Sequence, residues 1–286
     1  MTPFKIGVIV DSLQLGLHEG IRKAKALGAE GIQFYANAKD ISPDRLDTAG
    51  RRDLKAFIAD QGLTLSAICG DIGNFMDASK NPDLIARSKQ IVDMALDLGT
   101  DVVTTHIGSV PDDTASSLYR TLQHACRELG SYAAENGISF AIETGPETAQ
   151  SLRTFLDSLE IKGIGANLDP ANLVMVCRDD PVAAVHTLAP YIVHTHAKDG
   201  RNLKPCDPAE VYAAFVDGNY PDLEKVLGGA PFVELPIGEG DVDWDAYLQA
   251  LTDIGYKGYL TIEREEGDDR VGDTAKGIAF LQSKIN

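Results

Sequence analysis

The sequence predicts an α/β protein that forms one (β/α)8 TIM barrel, a single domain over residues 1–286. Eight short β-rich segments recur along the chain, and most are followed by a stretch with helical periodicity. The segments are continuous apolar runs, which is typical of parallel strands buried on both faces. The rival fold, a doubly wound open sheet, would carry a glycine-rich phosphate loop after an early strand. The sequence contains neither GxGxxG nor GxxxxGK[ST].

The predicted strands and helices alternate along the chain. Between the strands lie amphipathic stretches, for example 84–98 and 118–135, with apolar residues at helical spacing. Several helices are expected to end at a glycine that supplies the left-handed C-terminal cap, namely Gly28, Gly62, Gly99 and Gly137. The strands are expected at 5–10, 31–36, 63–70, 101–108, 138–144, 164–169, 191–197 and 259–264.

One connection, between the seventh and eighth predicted strands, is much longer than the others. It runs over 199–258, about sixty residues, and includes a short helical piece near 209–216. Only its last part resembles a crossover helix, with Asp243 as the expected N-cap before Trp244. The rest is an insertion on the face where barrels carry their active sites. Long loops there cover a site or make subunit contacts, so a homo-oligomer is one expectation.

Composition restricts the classes of partner. The formal net charge is −17, from 43 acidic and 26 basic residues, and such a surface repels a phosphate backbone, so we expect no nucleic-acid partner. The sequence shows no secretory signal and no apolar run long enough to span a membrane, so no membrane partner is expected. The four cysteines have no CxxC spacing and suggest free thiols in a reducing compartment. These features predict a cytoplasmic protein.

Four polar residues stand at the ends of four consecutive predicted strands: Glu143, Asp169, His196 and Glu263. The C-terminal ends of barrel strands meet at one face, so we expect these side chains to lie together. Three carboxylates and one imidazole favour one divalent ion, Mn²⁺ or Mg²⁺ before Co²⁺ or Zn²⁺. A single acidic residue at a strand end could instead cap a helix or pair with a lysine. Four of them on adjacent strands make that explanation weaker.

The strings around these residues resemble the sugar phosphate isomerase/epimerase superfamily, whose members form xylose-isomerase-like barrels. Relatives include ketose 3-epimerases, inosose-handling enzymes and endonuclease IV-like proteins. The resemblance covers most of the chain and is stronger from residue 139 onward. It specifies the superfamily better than the substrate. The matching strings are IET at Glu143, NLDPANL at Asp169, HAKD at His196, GEGDVDW at 238–244 and TIERE at Glu263.

The resemblance also bears on the neighbouring residues. It places the metal histidine two residues before a Lys-Asp pair, which selects His196, and leaves His194 as a hydrogen-bonded core histidine one layer deeper. Endonuclease IV-like relatives carry a further zinc-binding histidine where this chain has Asn172. Asparagine is a poor metal ligand, so a three-metal cluster is not expected. Together with the acidic surface, this argues against a DNA-repair nuclease.

Five residues near predicted strand ends are candidates for substrate contacts. His106 either lines the pocket or has a structural role. Glu147 and Arg201 either contact substrate hydroxyls or are solvated loop charges, and Asn172 takes the place of a substrate-holding histidine. Lys198 either stabilises a developing oxyanion or pairs with Asp199. Further candidates for the pocket wall are Tyr35, Asp71 and Phe75.

The combined prediction is a divalent-metal-dependent isomerase or epimerase of a small sugar or polyol, acting on a ketose or related keto-polyol. A bound metal would stabilise an enediolate, and the resemblance gives Glu263 and Glu143 the roles of base and acid on opposite faces of the substrate. The first alternative keeps the metal and changes the reaction to dehydration or lyase chemistry on a keto-sugar or inosose. The second is a non-catalytic sugar-binding barrel.

Overall fold

The computed structural model describes residues 4–37 and 41–285, and these form a closed barrel of parallel strands. Eight strands, β1 to β7 and β10, form the barrel wall, in which β10 pairs with both β7 and β1. The predicted fold class is therefore confirmed. In chain order the strands are β1 (Lys5–Ile9), β2 (Gly31–Tyr35), β3 (Thr64–Cys69), β4 (Val102–Thr105), β5 (Ser139–Glu143), β6 (Ile164–Leu168), β7 (Ile192–Ala197), β8 (Asp199–Asn202), β9 (Phe232–Leu235) and β10 (Tyr259–Ile262).

Helices surround the barrel. Polar N-caps begin several of them: Ser116, Thr148 and Asp243 each accept a hydrogen bond from a backbone N–H of the first turn, as predicted for Asp243. The helices are α1 (Leu17–Leu27), α2 (Thr48–Asp60), α3 (Asn81–Leu98), α4 (Ser117–Glu135), α5 (Ala149–Leu159), α6 (Pro170–Asn172), α7 (Pro181–Leu188), α8 (Pro208–Asp217), α9 (Tyr220–Leu227), α10 (Trp244–Asp253) and α11 (Arg270–Ile285).

All four predicted glycine caps have a left-handed backbone conformation, with φ of 65° at Gly62 and 69° at Gly137. Gly28 and Gly99 end α1 and α3 with φ of 100° and 86°, and each backbone N–H returns to carbonyls of the last helical turn. A residue with a Cβ rarely adopts this conformation, which explains the choice of glycine. Among the described residues, no helix combines the length and apolar character that crossing a membrane would require.

Apolar side chains fill the layer between strands and helices, whereas the barrel interior below its C-terminal end contains several polar side chains beside a small apolar cluster. The largest buried rings belong to the first group, for example Phe34, Phe140 and Tyr247. Alternation along β2 places Gln33 on the opposite side from Phe34, and its amide reaches across the barrel to β4 and β7. The polar residues that share this interior are Gln33, Thr104, Asn167, His194 and Thr261.

The insertion between β7 and β10 has its own structure. The strands β8 and β9, with α8 and α9 between them in the chain, form a two-stranded antiparallel sheet outside the barrel, and α10 follows as the crossover helix. The Asp199 carboxylate holds the turn 238–244, because it accepts hydrogen bonds from the backbone N–H groups of Gly238 and Val242 and from the indole N–H of Trp244. An added Cβ at Gly240 would collide with this carboxylate. The GEGDVDW string therefore has a structural role: it forms a turn that is hydrogen-bonded to Asp199 at the start of the insertion.

Candidate metal centre

Four side chains converge at the C-terminal end of the barrel. Glu143 is the last residue of β5, Asp169 follows β6, His196 lies in β7, and Glu263 follows β10. These strands are consecutive in the barrel wall. One ligand atom from each residue lies within 4.8 Å of the others, and all four side chains are buried. The structure thus brings together the four residues that the sequence predicts as metal ligands.

The Nδ1 atom of His196 lies at the middle of the cluster. It is 3.4 Å from Glu143 Oε1 and 3.5 Å from both Asp169 Oδ2 and Glu263 Oε2. Burial by itself lowers the pKa of His196, but the negative charges of Glu143 and Glu263 outweigh it and hold the pKa well above the usual value. Three carboxylates that face one point create a strongly negative electrostatic potential there, which favours positive charge.

The remaining carboxylate oxygens are held by the protein. Asp169 Oδ1 caps α6 by accepting from the backbone N–H groups of Ala171 and Asn172, at 2.8 and 2.9 Å. The Asn167 and Asn172 amides donate to the two oxygens of Glu143, at 3.0 and 3.1 Å. These bonds orient the carboxylates, while Asp169 Oδ2 is buried and has no hydrogen-bond partner. A buried acceptor without a partner is costly, and a cation at this point would satisfy it.

The donor set therefore fits one divalent cation. Three carboxylate oxygens and an imidazole nitrogen are hard to borderline ligands of the kind that divalent cations take. The Asn172 amide nitrogen donates to Glu143 Oε1 and to the Thr144 carbonyl. Within residues 4–37 and 41–285, the quartet is the one group of His, Cys, Asp and Glu side chains close enough to share a metal.

Lys198 lies beside the centre, and its amine is surrounded by three carboxylates. Its Nζ donates to Glu263 Oε2 at 2.9 Å, contacts Glu265, and lies 3.7 Å from Glu234 Oε2 of β9. Burial lowers the pKa of this amine, but the three glutamates outweigh burial and raise it well above the usual value. The alternative that Lys198 pairs with Asp199 is wrong, because the Asp199 carboxylate is occupied by the turn 238–244.

Burial raises the pKa of the Glu263 carboxyl, but the charges of Lys198 and His196 reverse this effect and lower it well below its usual value. The Tyr35 hydroxyl also reaches Glu263, at 3.4 Å from Oε1. Glu263 is therefore ionised at neutral pH. This state is the one that a metal ligand or a general base requires.

His106 and Glu147 lie on the Glu143 side of the centre. His106 Nδ1 is 3.0 Å from Asp71 Oδ2, and its Nε2 is 3.9 Å from Glu143 Oε1 and has no hydrogen-bond partner. Burial lowers the pKa of His106, but Glu143 and Asp71 outweigh it and raise the pKa to about 10. Glu147 is buried, and only one of its oxygens is used, by the Val110 N–H at 3.1 Å. Burial raises its pKa to about 8.

Arg201 does not reach the centre. It is exposed on β8, where its guanidinium donates hydrogen bonds to Asp241 Oδ1 at 2.7 Å and to the Glu239 carbonyl. Its role as a substrate contact remains a prediction. Of the predicted wall residues, Asp71 contacts His106, Tyr35 contacts Glu263, and Phe75 is completely buried.

Sequence reasoning missed several residues around the centre. Gln33 and Asn167 are polar residues inside otherwise apolar strands, and this interruption was a readable signal. Asn167 also shares the face of Asp169, two residues later. Tyr212 of α8, whose ring lies 5.5 Å from that of His106, and Glu234 of β9 come from the insertion and gave no such signal.

A closed parallel barrel with a carboxylate and histidine cluster at the C-terminal strand ends defines the class of this protein: a (β/α)8 barrel with a candidate metal centre. Residues 21–284 match the family model described as xylose isomerase-like TIM barrel, and the chain belongs to this family.

Curated relatives match parts of the chain. An inosose dehydratase of Clostridium perfringens is 26% identical over 155 residues, which cover 52% of this chain and 48% of that protein. The rhizopine catabolism protein MocC of Rhizobium meliloti is 36% identical over 87 residues, 30% of this chain and 24% of that protein. The chain thus matches about half the length of these relatives, or less.

Solved structures match along nearly the whole chain. A xylose isomerase domain protein from Planctomyces limnophilus has a TM-score of 0.78 and 26% identity over 99% of this chain and 96% of that one. A xylose isomerase-like TIM barrel protein from Mycobacterium smegmatis, in complex with magnesium, has a TM-score of 0.73 and 18% identity over 100% and 98%. An L-ribulose 3-epimerase has a TM-score of 0.72 and 18% identity over 99% and 94%. The last two share the fold alone.

Proposed function

We propose that this protein is a divalent-metal-dependent isomerase or epimerase of a small carbohydrate, a ketose or a related keto-polyol. The observation that carries the proposal is the placement of Glu143 and Glu263. They stand on the outer two of four consecutive strands, with Asp169 and His196 between them. Two carboxylates that flank one centre can act on the two faces of a substrate bound there.

The metal would be held by Glu143, Asp169, His196 and Glu263, with Mn²⁺ or Mg²⁺ favoured over Co²⁺ or Zn²⁺. When bound, a divalent ion supplies Lewis acidity, which polarises a carbonyl and its adjacent hydroxyl and acidifies the neighbouring C–H. Membership in the xylose isomerase-like family supports a carbohydrate substrate.

The protein residues perform the proton transfers in this proposal. Glu263, kept ionised by Lys198, accepts the proton from the substrate carbon, and Glu143 delivers a proton from the opposite side. Delivery to the same carbon gives an epimer. Delivery to the neighbouring carbon, while the hydroxyl proton passes to the former carbonyl oxygen, gives an isomer. Glu263 then carries the proton taken from carbon and Glu143 is ionised, and proton exchange with solvent returns both to their starting states.

Substrate hydroxyls would be held on the Glu143 side. His106 Nε2 and Glu147 Oε1 are buried atoms without hydrogen-bond partners. Each can therefore form a hydrogen bond with a substrate hydroxyl without breaking an existing one. Asn172 and Lys198 border the same space through their contacts with Glu143 and Glu263. Arg201 could contribute only after releasing Asp241.

A dehydratase acting on a keto-sugar or inosose is the second candidate, and Glu147 favours it. Burial raises the pKa of Glu147 to about 8, so this carboxyl is protonated at neutral pH and can protonate a departing hydroxyl. The partial match to an inosose dehydratase supports this candidate. In this reaction Glu263 would take the carbon-bound proton and the substrate would lose one water.

The two candidates are separated by incubating Mn²⁺-loaded protein with a panel of ketoses and inososes in D₂O. An epimerase or isomerase returns a product of unchanged constitution with one deuterium on carbon, seen by NMR and mass spectrometry. A dehydratase returns a product lighter by one water. Glu143→Gln tests the centre, and Glu135→Gln, an exposed glutamate on α4, is the matched control. A chain that binds no divalent metal and exchanges no substrate hydrogen refutes both candidates.

A further inference from the structure

A buried glutamine lies inside the barrel next to the imidazole of His196. Gln33 belongs to β2 and is fully buried. His196 uses Nδ1 toward the three carboxylates, so its other nitrogen, Nε2, points away from the centre. Gln33 meets this second nitrogen: its amide nitrogen lies 3.2 Å and its amide oxygen 3.4 Å from His196 Nε2.

The tautomer of His196 decides whether the ring can bind a metal. Nδ1 can be a ligand only when it carries no proton, and the neutral ring then carries its proton on Nε2. A buried N–H needs an acceptor. Gln33 can supply one through its amide oxygen, and when the proton is on Nδ1 the same side chain can donate its N–H to Nε2. An amide is suited to both states because it combines a donor with an acceptor.

Asn167 cannot replace Gln33 in this role. Its amide nitrogen lies 3.1 Å from His196 Nε2 but also donates to Glu143 Oε2 at 3.0 Å. Turning its oxygen toward His196 would break the bond to Glu143 and place two acceptors against each other. Among the described residues, the side chains within hydrogen-bonding distance of His196 Nε2 are those of Gln33 and Asn167.

The orientation of Gln33 is fixed at both ends of its amide. The oxygen lies 3.0 Å from His194 Nε2, and the nitrogen donates to Thr104 Oγ1 at 3.2 Å. Thr261 Oγ1 in turn lies 3.1 Å from His194 Nε2. Residues of β2, β4, β7 and β10 thus form one hydrogen-bonded layer under the centre, with Gln33 as the member that touches His196.

We propose that Gln33 is a positioning residue that holds His196 in the metal-binding tautomer by accepting a hydrogen bond from His196 Nε2–H. The proposal rests on the proposed function in one respect, that the four-residue centre binds a divalent metal. It requires no particular substrate or reaction. Partners behind a metal-binding histidine typically change metal affinity by about 10- to 100-fold.

The test is calorimetric titration of Mn²⁺ into metal-free protein. Gln33→Met keeps the length of the side chain and removes the acceptor, whereas Gln33→Glu restores an acceptor oxygen at the same place. Thr261→Val is the matched control, because it removes a buried hydroxyl of the same layer whose hydrogen bond goes to His194 and not to the imidazole of His196. Circular dichroism of each metal-free variant verifies the fold.

We expect Gln33→Met to weaken Mn²⁺ binding by about 10- to 100-fold, and Gln33→Glu and Thr261→Val to stay within about threefold of the wild type. Equal affinity of Gln33→Met and wild type overturns the proposal, as does an equal loss in Thr261→Val. If Gln33→Met does not fold, failure of Gln33→Glu to retain binding overturns it. Wild-type protein that binds no Mn²⁺ overturns this proposal and the proposed function together. Wild-type protein that binds Mn²⁺ and converts no sugar overturns only the latter.

Discussion

Replacement of Asp199 by asparagine should strongly destabilise the protein, although the change in shape is minimal. The carboxylate accepts four hydrogen bonds: Oδ1 from the N–H groups of Gly200 and Val242, and Oδ2 from the Gly238 N–H and the Trp244 indole. An asparagine has one acceptor oxygen. Whichever way its amide turns, its NH₂ group faces two N–H donors.

The magnitude follows from these contacts. A hydrogen bond to a charged group contributes about 1.5 to 3 kcal/mol, and two of them are lost, so Asp199→Asn should lower the free energy of unfolding by about 3 to 6 kcal/mol. This is a large part of the about 5 to 15 kcal/mol typical of a folded domain. Asp245→Asn is the control, because Asp245 is exposed and its ion pair with Lys284 is worth about 1 kcal/mol or less.

The assay is urea unfolding of metal-free protein, followed by far-UV circular dichroism and tryptophan fluorescence. Trp244 is the only tryptophan of the chain, so fluorescence reports directly on the turn that Asp199 holds. We expect the two signals to give one transition, shifted to lower urea. An Asp199→Asn protein within about 1 kcal/mol of the wild type would refute the reasoning, and so would an equal loss in Asp245→Asn.

Three further predictions concern the centre. Glu143→Gln should reduce turnover by about 100- to 10,000-fold in the D₂O assay while Glu135→Gln leaves it unchanged, because proton transfer by a positioned carboxylate contributes about that much; equal activities would contradict the assignment. Burial raises the pKa of Glu147 from 4.5 to about 8, so the native state binds an extra proton between these values and wild-type stability falls as the pH rises through this window. Glu147→Gln should lack this fall. If the urea midpoints of wild type and Glu147→Gln shift in parallel between pH 5 and 8, the prediction is contradicted. Mn²⁺ at about 100 times its dissociation constant should stabilise the fold by about 2.7 kcal/mol, which a chelator reverses in thermal unfolding; an unchanged midpoint would argue against a metal site.

The sequence was sufficient for the barrel because its strands carry their own signals. Continuous apolar runs marked all eight barrel strands, but their ends were less certain. The run predicted over 5–10 leaves the sheet after Ile9 and turns into a 3₁₀ helix, Val10–Leu13. The run predicted over 101–108 ends at Thr105. Apolar composition continues past a strand end wherever the following loop is also buried, so it cannot mark the boundary.

The insertion was predictable only in part. The helical piece near 209–216 is confirmed as α8, but α9 and the two-stranded sheet of β8 and β9 were missed. The strand β8, Asp199–Asn202, has the sequence DGRN, which has no β propensity of its own. It is held in place by pairing with β9, thirty or more residues away along the chain. Tertiary pairing of this kind leaves no local pattern.

The same distinction applies to the centre. The four residues of the candidate centre could be predicted to lie together because each is at or beside the C-terminal end of a recognisable strand. The partners of Lys198 could not be found in this way. Glu234 lies on β9, a strand that the sequence did not predict, and Asp199, the next residue in the chain, was the more obvious candidate. Only the folded chain shows that Asp199 is used by the turn 238–244 and that Lys198 therefore faces Glu263.

The position of Glu263 has a consequence for folding. It follows β10, the strand that closes the barrel by pairing with β1, the first strand of the chain. A nascent or partly folded chain without this closure holds at most three of the four ligands, and it lacks the one that Lys198 keeps ionised. Under the proposed function, high affinity for the ion would therefore be confined to the completed barrel. Ion uptake would then come last in maturation and would report that assembly is finished.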